Sequence, residues 1–253
     1  MLKILILGGT TEATGLAASL AGDARFDVLF SYAGATRAPR PAPVPWRVGG
    51  FGGADGLAAF LRDGGFHVLV DATHPFARQI KRNALQAASD AGVALIAVHR
   101  PGWTAQPDDR WTMVADMVDA ARALGVAPRR VLLTVGQKEL APFRAAPQHD
   151  YIIRSVDPPP AEVLPPRVRL IPARGPFQLA EEEALLRALD VSVLVTKNSG
   201  GDATDAKLTV CRRLDIEVVM VERPAHPAAD RTCATAAQAL EALVAHAEAL
   251  RLV

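Results

Sequence analysis

Cysteine is scarce. The 253-residue chain has two, Cys211 and Cys233, with neither metal-ligand spacing nor a companion histidine pair. They read as small buried thiols of a reducing cytoplasm, and no metal site is expected. An excess of one charge is also missing: 28 Lys and Arg face 27 Asp and Glu, a formal +1. That balance excludes a nucleic-acid or membrane-surface role driven by bulk electrostatics, although a local basic patch is compatible with it. No apolar run is long enough to span a bilayer, and the N-terminus lacks the basic, apolar, small-residue order of a signal peptide. A soluble, cytoplasmic protein is expected. Core material is plentiful, because half of the residues are hydrophobic. The length suits one large α/β domain or two small ones.

The organising stretch is the first. Leu2 to Leu7 is a continuous apolar run, as a strand buried on both faces of a parallel sheet requires. Gly8 and Gly9 permit a tight turn, and Thr10, Thr11 and Glu12 open a segment with Leu16 and Leu20 at helical spacing. Strand, glycine turn and helix start together form an anion site, with backbone N–H groups and the helix dipole aimed at the turn. The first βα turn of a dinucleotide-binding sheet occupies this place. The match to G-x-G-x-x-G is imperfect, since Thr10 stands for the second glycine and Gly15 comes late. The turn signals an α/β start more strongly than a nucleotide.

Phe26 to Phe30 is a second strand, ending in Ser31 and followed by Thr36, Arg37 and Arg40 in a proline-rich loop. An NAD-binding fold usually places Asp or Glu there for the ribose 2′-hydroxyl. Hydroxyls and a guanidinium suit a 2′-phosphate instead, so a bound dinucleotide is expected to be NADP. The alternative is an ordinary solvated arginine loop. Trp46 to Val48 is a short strand, and Gly49-Gly-Phe-Gly-Gly53 then lets backbone approach a ligand closely, or serves only as a flexible turn. The strand Phe66–Val70 closes in Asp71-Ala-Thr-His-Pro-Phe-Ala77, which puts His74 on the ligand-binding edge and His67 on the far side. Arg78, Lys81 and Arg82 follow at helical spacing and read as a solvated face whose first turn borders that edge.

After a fifth strand at Val93–Val98, the polar Pro107–Arg110 segment marks the expected domain boundary. A helix at Asp116–Leu124 and strands at Val131–Val135, Tyr151–Ser155 and Arg167–Ile171 follow. A helix at Gln178–Leu189 leads to the strand Val191–Val195, which runs into Thr196-Lys-Asn-Ser-Gly-Gly201. Lys197, in that second glycine turn, is either a site residue or a surface lysine. Ile216–Val221 is expected as the last strand and Thr235–Leu250 as the closing helix. Alternation through both halves implies two Rossmann-like α/β domains with parallel sheets, 1–110 and 111–253, and a cleft between them.

The ordered set Gly-Gly-Thr-Thr-Glu-Ala at 8–13, Gly-Gly-Phe-Gly-Gly at 49–53, Asp-Ala-Thr-His-Pro-Phe-Ala at 71–77, Ala-Arg-Gly-Pro-Phe at 173–177 and Thr-Lys-Asn-Ser-Gly-Gly at 196–201 resembles the precorrin-6A reductase family of cobalamin (vitamin B12) biosynthesis. The resemblance spans nearly the whole chain. In one place it departs: where the family has Gly-Arg-Gln, this chain has Gly136-Gln137-Lys138, so no role is carried onto Gln137. The resemblance implies NADPH-dependent reduction of one double bond of the precorrin-6A macrocycle, giving precorrin-6B. It also implies an N-terminal NADP-binding domain and a C-terminal domain that closes the cleft over cofactor and substrate.

On that basis Gly9, Thr10, Thr11, Glu12 and Thr73 are expected to line the cofactor site. Ser31 and Arg37 would bind the 2′-phosphate, with Gly50, Phe51 and Gly52 beside the adenosine half. Thr196, Lys197, Ser199 and Gly200 would close from the second domain. Arg78, Lys138, Arg174 and Lys207 are candidate cations for the substrate's carboxylates, and His74, then Lys197, are candidate proton donors. The expected partner is a small-molecule tetrapyrrole substrate, with no nucleic acid or membrane, and a monomeric protein is expected. Two other readings stand: an NADP-dependent reductase of another substrate, and a non-catalytic NADP sensor. The Tyr-x-x-x-Lys pair of short-chain reductases is absent, because neither Tyr32 nor Tyr151 has Lys four residues on.

Overall fold

The computed structural model describes residues 1–34 and 40–251, so Arg37 lies outside the described residues. In chain order it runs β1 (Leu2–Leu7), α1 (Thr11–Leu20), β2 (Phe26–Tyr32), β3 (Trp46–Val48), α2 (Ala54–Asp63), β4 (Val68–Asp71), α3 (Arg78–Ala91) and β5 (Ala94–Val98). Next come β6 (Trp111–Val114), α4 (Met117–Ala123), β7 (Arg130–Leu133), β8 (Asp150–Ser155), β9 (Val168–Pro172), α5 (Leu179–Ala188), β10 (Val193–Lys197), α6 (Ala206–Arg213) and β11 (Glu217–Val221). The chain ends with β12 (Arg231–Cys233) and α7 (Ala236–Arg251).

Two six-stranded parallel sheets result, ordered β12-β5-β4-β1-β2-β3 and β6-β11-β10-β7-β8-β9. In the first sheet β1 lies centrally, with β2 and β3 to one side and β4 and β5 to the other; in the second β7 takes that place, with β8 and β9 to one side and β10 and β11 to the other, and β12 and β6 add the outer edge strands. This is the doubly wound order, whose direction reverses between β1 and β4 in one sheet and between β7 and β10 in the other. The expected fold class is the observed one. In β1 the alternation of a doubly covered strand is visible: Ile4 and Ile6 join the cluster under α1 and α7, and Leu5 and Leu7 join the opposite cluster under α2 and α3.

Residues 1–101 and 224–253 form one compact unit and residues 102–223 the other. These limits differ from 1–110 and 111–253. The expectation that Ile216–Val221 is the last strand is corrected by β12, which pairs with β5 through Arg231, Thr232 and Cys233. β6, also unexpected, pairs with β11. Each is an edge strand with little burial, only Cys233 in β12 being fully buried, so neither leaves an alternating signal. The small face of α7, Ala239, Ala242, Leu243 and Ala247, packs in the cluster that holds Ala13, Leu16, Ala17 and Leu20 of α1. No helix among the described residues is long and apolar enough to cross a membrane.

Candidate active site

The first unit's functional edge is built from strand ends. After β1, Gly8 passes so close to Phe30 that a Cβ would lie 2.0 Å from its ring, and Gly9 turns with φ +121. Only glycine accommodates both demands. Thr10 explains its own presence where the pattern would have glycine. Its Oγ1 caps α1 by accepting from Ala13 N at 3.1 Å and donates to Ala72 O at 2.8 Å, joining the ends of β1 and β4 at the switch point. Glu12 Oε2 accepts from Arg100 Nη1 at 2.7 Å and from Thr11 Oγ1 at 3.2 Å. Arg100, just past β5, thus balances a carboxylate beside the glycine turn.

Ser31 is the penultimate residue of β2, beside β3, and is buried. Its Oγ accepts from Arg47 Nη1 at 2.9 Å. Arg47 also donates to Gly49 O and Gly50 O and lies over the Phe51 ring at 4.3 Å. Phe51 in turn packs edge-on against Phe60. Gly9, Thr10, Thr11, Glu12, Ser31, Gly50, Phe51, Gly52 and Thr73 therefore all follow or end neighbouring strands of one sheet edge. Sequence reasoning missed Arg47 there, although its register position opposite Ser31 was available once β3 was placed.

At the end of β4, Asp71 accepts from Thr73 N and Oγ1 on one oxygen and from Lys81 Nζ, at 3.0 Å, on the other. The solvated-face reading of α3 fails for Lys81, which is 2% exposed. Its spacing with Ala84 and Ala88 places it on the buried stripe of the helix. Lys81 Nζ lies 3.4 Å from His99 Nε2, and the His99 and His226 rings meet at 4.1 Å between centroids with a 36° tilt. Arg78, Lys81, Arg82 and His226 line a pocket of about 530 Å³ with Pro75 and residues 224, 225 and 227. His74 Nδ1 accepts from Phe76 N at 3.2 Å, which in the neutral ring leaves the proton on Nε2. His67, before β4, accepts from Lys3 N at 2.9 Å in a structural bond.

The second unit places Thr196 and Lys197 at the end of β10, with Ser199 and Gly200 just beyond. Lys197 Nζ is held by Glu139 Oε2 at 2.8 Å, and the same oxygen accepts from Gly136 N. Asn198 grips the Trp103 backbone through both ends of its amide, and Arg223 donates to the carbonyls of Asn198 and Ser199. Lys138 and Arg174 are exposed. Lys207 is not: it is buried in the first turn of α6, donates to Thr204 O at 2.6 Å and lies 4.7 Å from the Trp103 ring centroid. Burial, then the Arg154 charge, pull its pKa down to about 7. Both cysteines are buried thiols, and burial pushes Cys211 up to about 12.

The chain matches the family model described as precorrin-6x reductase CbiJ/CobK over residues 3–245. It belongs to that family. A precorrin-6A reductase from Sinorhizobium sp is 56% identical over 221 residues, 87% of this chain and 85% of the relative. That of Rhodobacter capsulatus is 48% identical over 235 residues, covering 93% of each. A solved structure described as CobK precorrin-6A reductase superposes with a TM-score of 0.92 at 47% identity, covering 97% of each chain. The family resemblance first read from the ordered glycine turns and strand ends is thereby borne out.

Proposed function

We propose that the chain reduces one double bond of the precorrin-6A macrocycle to give precorrin-6B in cobalamin biosynthesis, with NADPH as hydride donor. The observation that carries the reading is membership of the reductase family over residues 3–245. The edge of the first sheet fits a dinucleotide. Gly9 has open space where a Cβ would stand, the α1 N-terminus faces the turn, and Ser31 replaces the carboxylate of NAD-type folds. NADPH, when bound, supplies the hydride; everything else falls to the protein.

Gly9, Thr10 and Thr11 are assigned to the pyrophosphate and Glu12, held by Arg100, to a sugar hydroxyl or the carboxamide. Thr73 borders the same turn. From sequence alone Ser31 and Arg37 would bind the 2′-phosphate, and Gly50, Phe51 and Gly52 are assigned to the adenosine half. Thr196, Lys197, Ser199 and Gly200 are proposed cofactor contacts of the second unit. Arg78, beside the cationic pocket, is the favoured partner for substrate carboxylates, ahead of exposed Lys138 and Arg174. Lys207, spent inside α6, fits that role least.

His74 is assigned as proton donor. With Nδ1 accepting from Phe76 N, its neutral ring carries the proton on Nε2, whereas Lys197 Nζ already donates to Glu139 Oε2. The reading is tested by following NADPH absorbance with and without precorrin-6A. Oxidation that depends on the macrocycle supports it, and binding without consumption supports a sensor.

A further inference from the structure

We propose that Arg47, rather than Ser31 or Arg37, selects NADPH over NADH by binding the 2′-phosphate; this rests on the NADPH reading above. Leu7, Ser31 and Arg47 are register partners across β1, β2 and β3. They form one row on one face of the sheet, under the glycine turn that follows β1. The adenosine ribose of a dinucleotide lies beyond the second strand of such a row.

Arg47 is preorganised there. Nη1 donates to Ser31 Oγ at 2.9 Å and Gly49 O at 3.0 Å, and Nη2 donates to Gly50 O at 3.2 Å. The guanidinium carbon lies over the Phe51 ring at 4.3 Å from its centroid and over the Phe60 ring at 5.3 Å. Gly49 adopts φ +128 beside it, and a Cβ at that glycine would stand 3.6 Å from Nη2. All three acceptors are neutral, and among the described residues no ion pair includes Arg47. The half-buried charge is therefore fixed in place without a counter-ion, which favours an arriving anion.

A guanidinium has five N–H groups. Three are used by these bonds, which leaves Nε–H and one Nη2–H to donate to phosphate oxygens. A 2′-hydroxyl would gain no such charge-assisted pair. Ser31 is buried, and its hydroxyl oxygen is turned to Arg47, so its part is to position the guanidinium.

The test measures binding by calorimetry for NADPH and NADH, and for 2′,5′-ADP and 5′-AMP, which report the adenosine half alone. Wild type is expected to prefer the 2′-phosphorylated member of each pair. Arg47→Ala is expected to weaken NADPH and 2′,5′-ADP by roughly 10- to 100-fold and NADH and 5′-AMP by less than about threefold. Arg47→Lys, which keeps the charge and loses the fork, should fall between them and serves as the second variant if the alanine form does not fold. Arg37→Ala should retain most of the preference.

Equal losses for both members of each pair in Arg47→Ala would reduce Arg47 to a clip for the glycine loop and overturn the assignment. So would a preference intact in Arg47→Ala or lost only in Arg37→Ala. A wild-type protein that binds 2′,5′-ADP and 5′-AMP alike would overturn the NADPH reading and this assignment with it.

Discussion

Asp71 and Lys81 bind each other where neither has much water. Their side chains are 5% and 2% exposed at 3.0 Å separation, and Thr73 saturates the other carboxylate oxygen. Removing one partner strands the other charge, so Asp71→Asn is expected to cost about 3–5 kcal/mol of stability. Adding Lys81→Met to it should restore part of the loss. Denaturant melts check this, and a loss under about 1 kcal/mol for the single variant would show that the pair is open to solvent. For chemistry the decisive side chain is His74. With cofactor and substrate saturating, His74→Ala is expected to lose about 10²–10⁴-fold in turnover while NADPH affinity holds. An unchanged turnover rate would remove the proton-donor role. Residues were legible where the backbone demanded them, as at Gly8, Gly9 and Thr10. Charged residues were not: the string Arg78, Lys81, Arg82 looks solvated until Ala84 and Ala88 reveal which face is buried.

Among the elements, α6 carries the sharpest pH dependence. Lys207 is buried, so its folded pKa is lowered from 10.5 to about 7, first by desolvation and then by Arg154, against the opposing pull of Glu182, Cys211 and Asp205. Between about pH 7 and 10.5 the unfolded chain therefore binds a proton that the folded chain does not, and stability rises with pH through that window. Below pH 7 both forms are protonated and the unfavourable contribution reaches its full size. Lys207→Met is expected to gain most over wild type below pH 7, the gain shrinking as pH climbs to 9. Parallel Tm–pH curves for the two proteins would contradict this. Long apolar runs made β1, β10 and β11 readable from sequence. β6 and β12 were not, because short edge strands with at most one buried side chain carry no period and owe their pairing to the sheet they join.

At the scale of the whole chain, each unit completes the doubly wound order with a strand distant in sequence: β12 beside β5, and β6 beside β11. Two parallel sheets could be inferred from alternation. The return of residues 224–253 to the first unit could not, because it depends on which open sheet edge accepts a short strand and on the alanine face of α7 meeting α1. Of the functional edge, the glycine turns were readable because they answer backbone demands. Arg47 and Lys81 emerged only when strand register and helix face were fixed. Catalysis by the whole chain is checked by NADPH oxidation with and without precorrin-6A. No consumption is expected without the macrocycle, and one NADPH oxidised per macrocycle reduced with it. NADPH that binds and is never consumed in the presence of precorrin-6A would contradict catalysis by this chain.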